Sequence, residues 1–264
     1  MLDPFTAVIL GLVQALTEFL PVSSSGHLVL AQAVLGVEAG GGVAFEVAVH
    51  FGTLLSVAVV FHRDIGRLLA AVGRALAAPT RLRDRWRDDP ELRLAAAIVA
   101  GCVPAGVIGL AFKDQLEAAF DQPALVCAAL IFTGLVLLAT KRAPEAHGTM
   151  SINRAVVIGV AQAIAILPGV SRSGSTIAAA LFLGVDRAFA ARFSFLLSLP
   201  VILGATLLKV RDLAEAPPSP DAIAGLAIGA GTSFIAGIGA LVLLLRLVQR
   251  GWFAHFGWYC LAVG

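Results

Sequence analysis

Charged side chains are scarce in this chain, since Asp, Glu, Lys and Arg together make up 14% of its 264 residues. An average soluble domain has about 25%. Apolar residues account for 59% of the chain, and the mean hydropathy is +0.92. This composition excludes an ordinary soluble globular protein and fits a lipid bilayer as the solvent. The net charge of +2 is too small to indicate a nucleic-acid partner.

Cysteine is also rare, and its positions argue against two further classes of protein. Cys102, Cys127 and Cys260 all lie in apolar segments, and no CxxC or Cys/His spacing typical of zinc sites or disulfide frameworks occurs. We expect these residues to pack inside the protein or to face lipid. No basic stretch precedes the first apolar run, so a cleaved secretory signal peptide is not expected.

Long apolar runs take the place of the missing charge. Several have about the 17–25 residues that cross a hydrocarbon core. The predicted membrane-spanning helices are 43–61, 94–112, 123–140, 190–208 and 222–245. Two shorter runs, 5–20 and 155–168, each lead into a cluster of proline, glycine and serine. Irregular backbone at membrane depth must lie inside protein, so these runs predict broken or re-entrant helices. The expected fold is an all-α integral membrane protein, a multi-pass helical bundle in which 1–264 is a single membrane domain.

The chain contains an internal duplication. Residues 11–64 align without a gap with residues 159–212, at a constant offset of 148. Identical pairs include Gly11/Gly159, Gln14/Gln162, Ser23/Ser171, Ser25/Ser173, Gly26/Gly174 and Phe45/Phe193. Farther along the chain the match resumes at an offset of 130. We therefore predict two repeats, at about 5–140 and about 153–264.

The distribution of basic residues predicts how these repeats are oriented. The polar segment 62–93 holds eight arginines, whereas its counterpart 209–221 holds only two cations. The next pair of loops reverses the bias, because 113–121 holds one cation and 246–251 holds two. Cytoplasmic loops are enriched in Lys and Arg, so equivalent loops should face opposite sides. This pattern predicts an inverted-topology repeat whose broken helices meet around a shared site near the membrane midplane.

Two polar loops follow the shorter apolar runs. Residues 14–27 read QALTEFLPVSSSGH, and residues 162–176 read QAIAILPGVSRSGST. In both, an apolar helix stops at a proline, hydroxyl residues follow, and an apolar helix resumes. Such a turn points unpaired N–H groups and a helix N-terminus into one cavity, which is a suitable site for an anion.

The first loop supplies groups for acid–base or metal chemistry. Gln14 and Glu18 are one helical turn apart, so both should face the same cavity. A buried carboxylate beside bound phosphate is expected to act with a hard divalent cation, Mg²⁺ or Ca²⁺. His27 is a candidate nucleophile or general acid–base. Structural alternatives remain: Glu18 could cap local N–H groups, Gln14 could be a packing amide, and His27 could be a helix cap.

The second loop supplies a clamp for phosphate. Arg172 can form two hydrogen bonds to a phosphate, and its charge needs an anionic partner at membrane depth. The alternative is a salt bridge to Glu18 or another acid. The small residues of both loops either bind phosphate oxygens or cap the following helices. The candidates for this binding set are Ser23, Ser25, Gly26, Ser171, Ser173, Gly174 and Thr176. Glu46 and His50, four apart in an apolar run, either line the same cavity or form a buried hydrogen-bonded pair.

Both loops resemble the signatures of one family. Gln14-x-x-x-Glu18 followed by LPVSSxGH is similar to the (E/Q)xxxE region of bacitracin-resistance-type undecaprenyl-diphosphatases. Residues 168–176 resemble that family's second signature, PGxSRSxxT. The length, hydropathy and internal repeat suit the family along the whole chain. The one departure is Gln14, where glutamate is the other accepted residue, and this leaves Glu18 as the more secure carboxylate.

The resemblance implies an enzyme that removes the terminal phosphate of undecaprenyl diphosphate and so recycles the lipid carrier for peptidoglycan synthesis. It implies a divalent cation, membrane lipid as a partner, and a site that opens toward the periplasmic or outer face of the bacterial inner membrane. It leaves a homodimer open. By this resemblance Glu18 and Gln14 occupy the acidic motif, as metal or acid–base candidates. The positions that it associates with phosphate binding and hydrolysis are Ser24, His27, Ser171, Arg172, Ser173 and Thr176.

Two questions stay open at this point. Ser24, His27 and a metal-bound water are all chemically reasonable nucleophiles, and we prefer His27 or activated water over Ser24. Inverted repeats with broken helices are also typical of alternating-access carriers, so a polyprenyl-phosphate flippase or transporter is the alternative function. The combination of Glu18 and His27 opposite Arg172 favours hydrolysis, because phosphate binding alone does not need it.

Overall fold

The computed structural model describes residues 3–35, 42–120, 122–146, 148–215 and 220–264. The regular secondary structure in these residues is helical. The helices are α1 (Pro4–Phe19), α2 (Ser24–Leu35), α3 (Gly42–Val60), α4 (His62–Ala77), α5 (Leu82–Asp88), α6 (Pro90–Ala111), α7 (Lys113–Phe120), α8 (Pro123–Ala139), α9 (Ile152–Ile164), α10 (Arg172–Phe182), α11 (Arg187–Glu215), α12 (Pro220–Gln249) and α13 (Phe256–Val263).

The long apolar runs form the spanning helices. Within the described residues, α6, α8, α11 and α12 are each long and apolar enough to cross a membrane. α3 passes the same test together with α4, from which it is bent by 78°. Each predicted span therefore coincides with one of these helices, and the prediction of a multi-pass all-α membrane protein is confirmed.

The polar segment 62–93 is helical rather than a loop. α4 and α5 lie within it, and Asp89 caps α6 by accepting the N–H groups of Glu91 and Leu92. Arg74 of α4 donates to Asp89 at 2.9 Å, which joins α4 to the start of α6. We call the end of the bundle formed by α4, α5 and the start of α6 the arginine-rich face.

The spanning helices start from different faces. α3 ends at the arginine-rich face, since α4 follows it, and α6 starts there. α12 runs parallel to α3, because Phe45 lies against Gly229 and the Ser56 hydroxyl donates to the Phe234 carbonyl at 2.8 Å. α6 and α12, which are equivalent in the repeat, therefore run in opposite directions. These are the helix directions of an inverted-topology repeat, whereas the limits 5–140 and 153–264 stay a prediction.

The first broken helix enters the bundle beside α12. Gly11 lies against Gly229, and Phe19 lies against Gly237 eight residues farther along both helices. α1 and α12 are therefore parallel, and α1 starts on the face opposite the arginine-rich one. The absence of a side chain at Gly11 lets the two backbones approach closely.

The second broken helix enters from the other face, beside α6. Ala155 lies against Gly101, and Ile166 lies against Gly109, so the two helices run in parallel away from the arginine-rich face. Gly159, the repeat equivalent of Gly11, packs on the carbonyl oxygen of Gly101 so closely that a Cβ would collide with it. The same small-residue contact thus seats both broken helices, in opposite directions.

Both broken helices end at a loop and resume as a second helix. α1 ends before Pro21, and Ser23 has a φ of +71°, a strained backbone for a residue that is not glycine. α9 ends before Gly169, whose φ is +90° and whose Cα hydrogen faces the Val126 carbonyl of α8. Ser171 then caps α10 by accepting the N–H of Gly174 at 3.1 Å. The prediction of broken helices over 5–20 and 155–168 is confirmed.

Candidate active site

The two loops line a single cavity of about 230 Å³. α3 and α11 complete its wall. The lining residues that can bind or react are Thr17, Glu18, Ser23, Ser24, Ser25, His50, Ser171, Arg172, Thr206 and Lys209. Arg192, near the start of α11, contacts Asp64 of the arginine-rich face, whereas Lys209 lies near the other end of that helix. The cavity therefore opens away from the arginine-rich face.

Glu18 is the centre of the polar contacts in this cavity. Its Oε1 accepts a hydrogen bond from Arg172 Nη2 at 2.5 Å. Its Oε2 accepts from the Ser24 hydroxyl at 2.7 Å and from Gln14 Nε2 at 3.2 Å. Ser24 and Arg172 are equivalent in the repeat, at the offset of 148. Each repeat therefore holds one oxygen of the same buried carboxylate.

Arg172 has donor capacity left after this pairing. Nη2 bonds to Glu18, whereas Nη1 is buried and has no hydrogen-bond partner among the described residues. An unsatisfied buried donor costs about 1–3 kcal/mol, and more when the group is charged. An anionic ligand in the cavity would supply the missing acceptor. The salt bridge to Glu18 that the sequence left open is thus present, and it uses only part of the guanidinium group.

A second polar cluster lies on α3 and α11. His50 Nε2 is 3.8 Å from Glu18 Oε2, and His50 Nδ1 is 2.8 Å from the backbone carbonyl of Glu46. A carbonyl oxygen can only accept, so Nδ1 carries the hydrogen and donates it. The Glu46 side chain instead accepts from Lys209 Nζ at 3.1 Å. Of the two alternatives for this pair, His50 lines the cavity and Glu46 binds a lysine at its mouth.

His27 lies outside the cavity lining. Its Nδ1 bonds to the Ser23 carbonyl at 2.8 Å, and its Nε2 bonds to the Tyr259 hydroxyl at 2.8 Å. The His27 and Tyr259 rings are stacked with their centroids 5.6 Å apart. Both ring nitrogens are therefore engaged, Nδ1 within the first loop and Nε2 in a contact that joins α2 to α13. A catalytic role for His27 stays a prediction, and this arrangement does not favour it.

The other predicted site residues fall into two groups. Ser23, Ser25 and Ser171 line the cavity with Ser24 and Arg172, whereas Gln14, Gly26, Ser173, Gly174 and Thr176 support it from behind. Gln14 Nε2 donates to Glu18, and the Thr176 hydroxyl contacts both the Ser194 hydroxyl, at 2.6 Å, and the Arg172 carbonyl. The N–H groups of Gly26 and Gly174 donate to the hydroxyls of Ser23 and Ser171. The Ser173 hydroxyl is hydrogen-bonded to that of Ser171. Their direct binding of substrate stays a prediction.

Few of the described residues in the cavity could bind a metal ion. No group of three or more His, Cys, Asp or Glu within the described residues could hold a metal ion. Gln14 is fully buried behind Glu18 and does not line the cavity. Glu18 is the carboxylate of the lining, and Mg²⁺ often binds through one or two carboxylates together with substrate phosphates. The residues therefore fit a cation that is bound jointly with a phosphorylated ligand.

Sequence reasoning missed Lys209 as a residue of the site. The segment 209–221 was expected to be a loop, but α11 continues to Glu215, and 216–219 lie outside the described residues. The residues of α11 that line the cavity are Val201, Ile202, Ala205, Thr206 and Lys209, a helical spacing. Extending that periodicity by one turn beyond 190–208 would have placed Lys209 on the same face.

The fold and the cavity together define a class of protein. It is a multi-pass membrane protein with an inverted repeat, and its cavity is lined by the first residues of two helices and by a serine hydroxyl that donates to a carboxylate. These groups suit chemistry on a phosphorylated substrate.

Comparison with known proteins identifies the family. The family described as bacitracin resistance protein BacA matches residues 7–264, and the chain belongs to it. The undecaprenyl-diphosphatase of Salinibacter ruber is 44% identical over 261 residues, which cover 98% of this chain and 96% of the relative. That of Desulfosudis oleivorans is 46% identical over 268 residues, 100% of this chain and 97% of the relative. That of Methanosphaera stadtmanae is 39% identical over 272 residues, 100% of this chain and 96% of the relative. The family resemblance seen in the two loops is confirmed.

Proposed function

We propose that this protein hydrolyses undecaprenyl diphosphate to undecaprenyl phosphate and inorganic phosphate. The observation that carries the proposal is the unpartnered Nη1 of Arg172 beside the hydrogen-bonded Glu18–Ser24 pair. One group is a vacant phosphate donor, and the other is a nucleophile with its base. The relatives named undecaprenyl-diphosphatase support this substrate over the flippase alternative. The product would return to peptidoglycan synthesis as lipid carrier, and bacitracin resistance would follow from that recycling.

The terminal phosphate binds between the two loops. Arg172 Nη1 donates to one of its oxygens, and the hydroxyls of Ser25 and Ser171 lie along the same wall. α2 and α10 both begin at this wall, at Ser24 and Arg172, so their first-turn N–H groups and their dipoles favour an anion. The polyprenyl chain would leave between helices toward lipid.

The chemistry follows from the Glu18–Ser24 hydrogen bond. Ser24 Oγ attacks the terminal phosphorus as Glu18 Oε2 takes its proton, and the bond from phosphorus to the bridging oxygen breaks. Undecaprenyl phosphate leaves with the electron pair of that bond. Water then attacks the phosphoserine, Glu18 returns its proton to Ser24 Oγ, inorganic phosphate departs, and the excess proton passes to solvent. This assignment places Ser24 ahead of His27 and activated water as nucleophile.

Glu18 would hold a divalent cation, Mg²⁺ or Ca²⁺, when the phosphorylated substrate is bound. When bound, the cation would offset the negative charge that gathers on the phosphate oxygens. Arg172 keeps its own contact to Glu18 and holds that carboxylate in place.

The cavity opens toward the periplasmic or outer side of the bacterial inner membrane in this proposal. The support is charge: α4 and α5 carry a cluster of arginines, and the cavity opens on the other face. Basic segments stay in the cytoplasm. Phe120 lines the cavity mouth, so in a variant without the native cysteines Phe120→Cys should react with an impermeant maleimide added outside intact cells. Reaction only after the cells are opened would reverse the orientation. A homodimer stays a prediction.

The test of function is phosphate release from undecaprenyl diphosphate by the purified protein in detergent. Ser24→Ala should lower the rate by at least about a thousandfold, because the nucleophile is lost. Ser175→Ala is the matched control, since this serine of α10 does not line the cavity, and its rate should stay close to that of the unmodified protein. A Ser24→Ala protein with full activity would exclude Ser24 as the nucleophile and return the attack to His27 or water. A folded unmodified protein that releases no phosphate would refute the hydrolase and favour the carrier.

A further inference from the structure

A second set of polar groups lines the cavity besides Arg172. His50 and Lys209 both line it, on α3 and α11. His50 is fixed through Nδ1 by the Glu46 carbonyl, which directs Nε2 toward the cavity. Nε2 can accept from a protonated phosphate oxygen or, as imidazolium, donate to an ionised one. Lys209 presents an ammonium group with three donors, one of which reaches Glu46.

The charge of a diphosphate requires more cationic groups than Arg172 alone provides. Arg172 is paired with Glu18, and Lys209 is paired with Glu46, so each pair is neutral overall. A single phosphate monoester carries a charge of about −1.5 to −2 at neutral pH, and a diphosphate carries more. One free nitrogen of Arg172 is too little for that charge. The Lys209–Glu46 pair is partly exposed, with side chains 44% and 35% accessible, so an arriving anion can take Lys209 from its partner.

The two sets lie at different depths. Arg172 is only 16% accessible and holds the buried carboxylate, whereas Lys209 is 44% accessible. Lys209 and Arg172 nevertheless line the same cavity. His50 Nε2 is 3.8 Å from Glu18 Oε2, and Arg172 holds the same carboxylate, so the second set begins beside the first. A ligand with two linked phosphates offers one phosphate group to each set, whereas a single phosphate offers one group in all.

We propose that His50 and Lys209 form a second phosphate subsite, which binds the phosphate next to the polyprenyl chain while Arg172 holds the terminal one. The inference rests on the proposed hydrolysis of a polyprenyl diphosphate and deepens it. The subsite selects a diphosphate over a monophosphate, because only a diphosphate offers one phosphate group to each set. Glu46 acts as the competing anion that holds Lys209 until substrate arrives.

The test compares two inhibitors of the hydrolysis, methylenediphosphonate and inorganic phosphate. The reaction is followed by the undecaprenyl phosphate formed, so that added inorganic phosphate does not disturb the measurement. Lys209→Met should raise the KM for the diphosphate substrate and the inhibition constant of methylenediphosphonate about tenfold, the size of one lost charged contact. The inhibition constant of inorganic phosphate should change less than about twofold, because phosphate binds at Arg172. Lys209→Arg should restore most of the affinity. His50→Leu should shift the same constants as Lys209→Met, and His50→Gln, which keeps polar groups, should shift them less.

Two further variants sharpen this test. Lys141→Met removes a lysine that lies over the Trp258 ring, away from the cavity lining, and should leave every constant unchanged. Glu46→Gln removes the competing anion and should lower the KM about threefold, the opposite sign. Unchanged constants in folded Lys209→Met protein, or an equal loss for both inhibitors, would overturn the subsite. If the unmodified protein releases no phosphate, the proposed function fails. The subsite can then still be tested by calorimetry, which compares the affinity of the protein for methylenediphosphonate with its affinity for inorganic phosphate.

Discussion

Replacing Arg172 by lysine separates two contacts that the guanidinium group makes at once. Nη2 pairs with Glu18, and Nη1 is free for the substrate phosphate. A lysine keeps the charge but has a single nitrogen, which cannot occupy both positions. It should stay with Glu18, because leaving a buried charge without its partner costs about 3–5 kcal/mol. The substrate then loses one charge-assisted hydrogen bond, worth about 1.5–3 kcal/mol. Since 1.4 kcal/mol is a factor of ten, kcat/KM should fall about ten- to hundredfold.

The assay for Arg172→Lys is phosphate release by detergent-purified protein, together with its thermal unfolding. The Tm should stay close to that of the unmodified protein, because Glu18 keeps a cationic partner. Arg172→Met provides the contrast: it should lose activity and also lower the Tm, since the buried carboxylate has no cation left. If Arg172→Lys is folded and keeps full kcat/KM, a single nitrogen is sufficient and the division of work between Nη1 and Nη2 is wrong.

Three further predictions concern the fold and the cation. Gly159→Ala should destabilise the protein by about 1–3 kcal/mol, because its Cβ would collide with the Gly101 carbonyl. Gly106→Ala is the control, since its added carbon meets nothing, and it should not lower the Tm. An equal decrease in Tm for both variants would refute the collision. The hydrogen bond from Arg74 lowers the pKa of Asp89, so ionised Asp89 stabilises the fold above the pKa that it has in the unfolded chain, and this stabilisation is lost as pH falls through the folded pKa. The Tm of the unmodified protein should therefore exceed that of Asp89→Asn by less in acid than at neutral pH. A difference in Tm that stays constant with pH would contradict this. Phosphate release should stop in EDTA and return with Mg²⁺, whereas activity retained in EDTA would exclude the cation.

Much of the fold could be predicted from the sequence, because the bilayer fixes the length of an apolar span. The runs 94–112 and 123–140 agree with α6 and α8 to within a few residues. The helices that were missed are polar or amphipathic: α4 and α5 lie in a segment taken for a loop. Arginine content indicates the side of the membrane, but it does not distinguish a loop from a helix lying along the interface.

The candidate site was predictable where a residue belongs to a repeated loop. Glu18, Ser24 and Arg172 meet because the two loops are copies of one turn, and their alignment is visible in the sequence. The two histidines were not distinguishable in this way. The direction of His27 depends on the left-handed φ of Ser23, which turns the start of α2 and sends the imidazole toward α13. His50 reaches the cavity through the packing of α3 on its neighbours, which no local pattern in the sequence shows.

The sharing of one carboxylate between two repeats has a consequence for any attempt to divide the chain. The first half contains Glu18 but has Ser24 where the second half has Arg172, and the second half has Ile166 where the first half has Glu18. Neither half alone can assemble the pair of contacts on Glu18. Halves expressed as separate polypeptides would therefore be inert singly and competent only when they complement each other in one membrane.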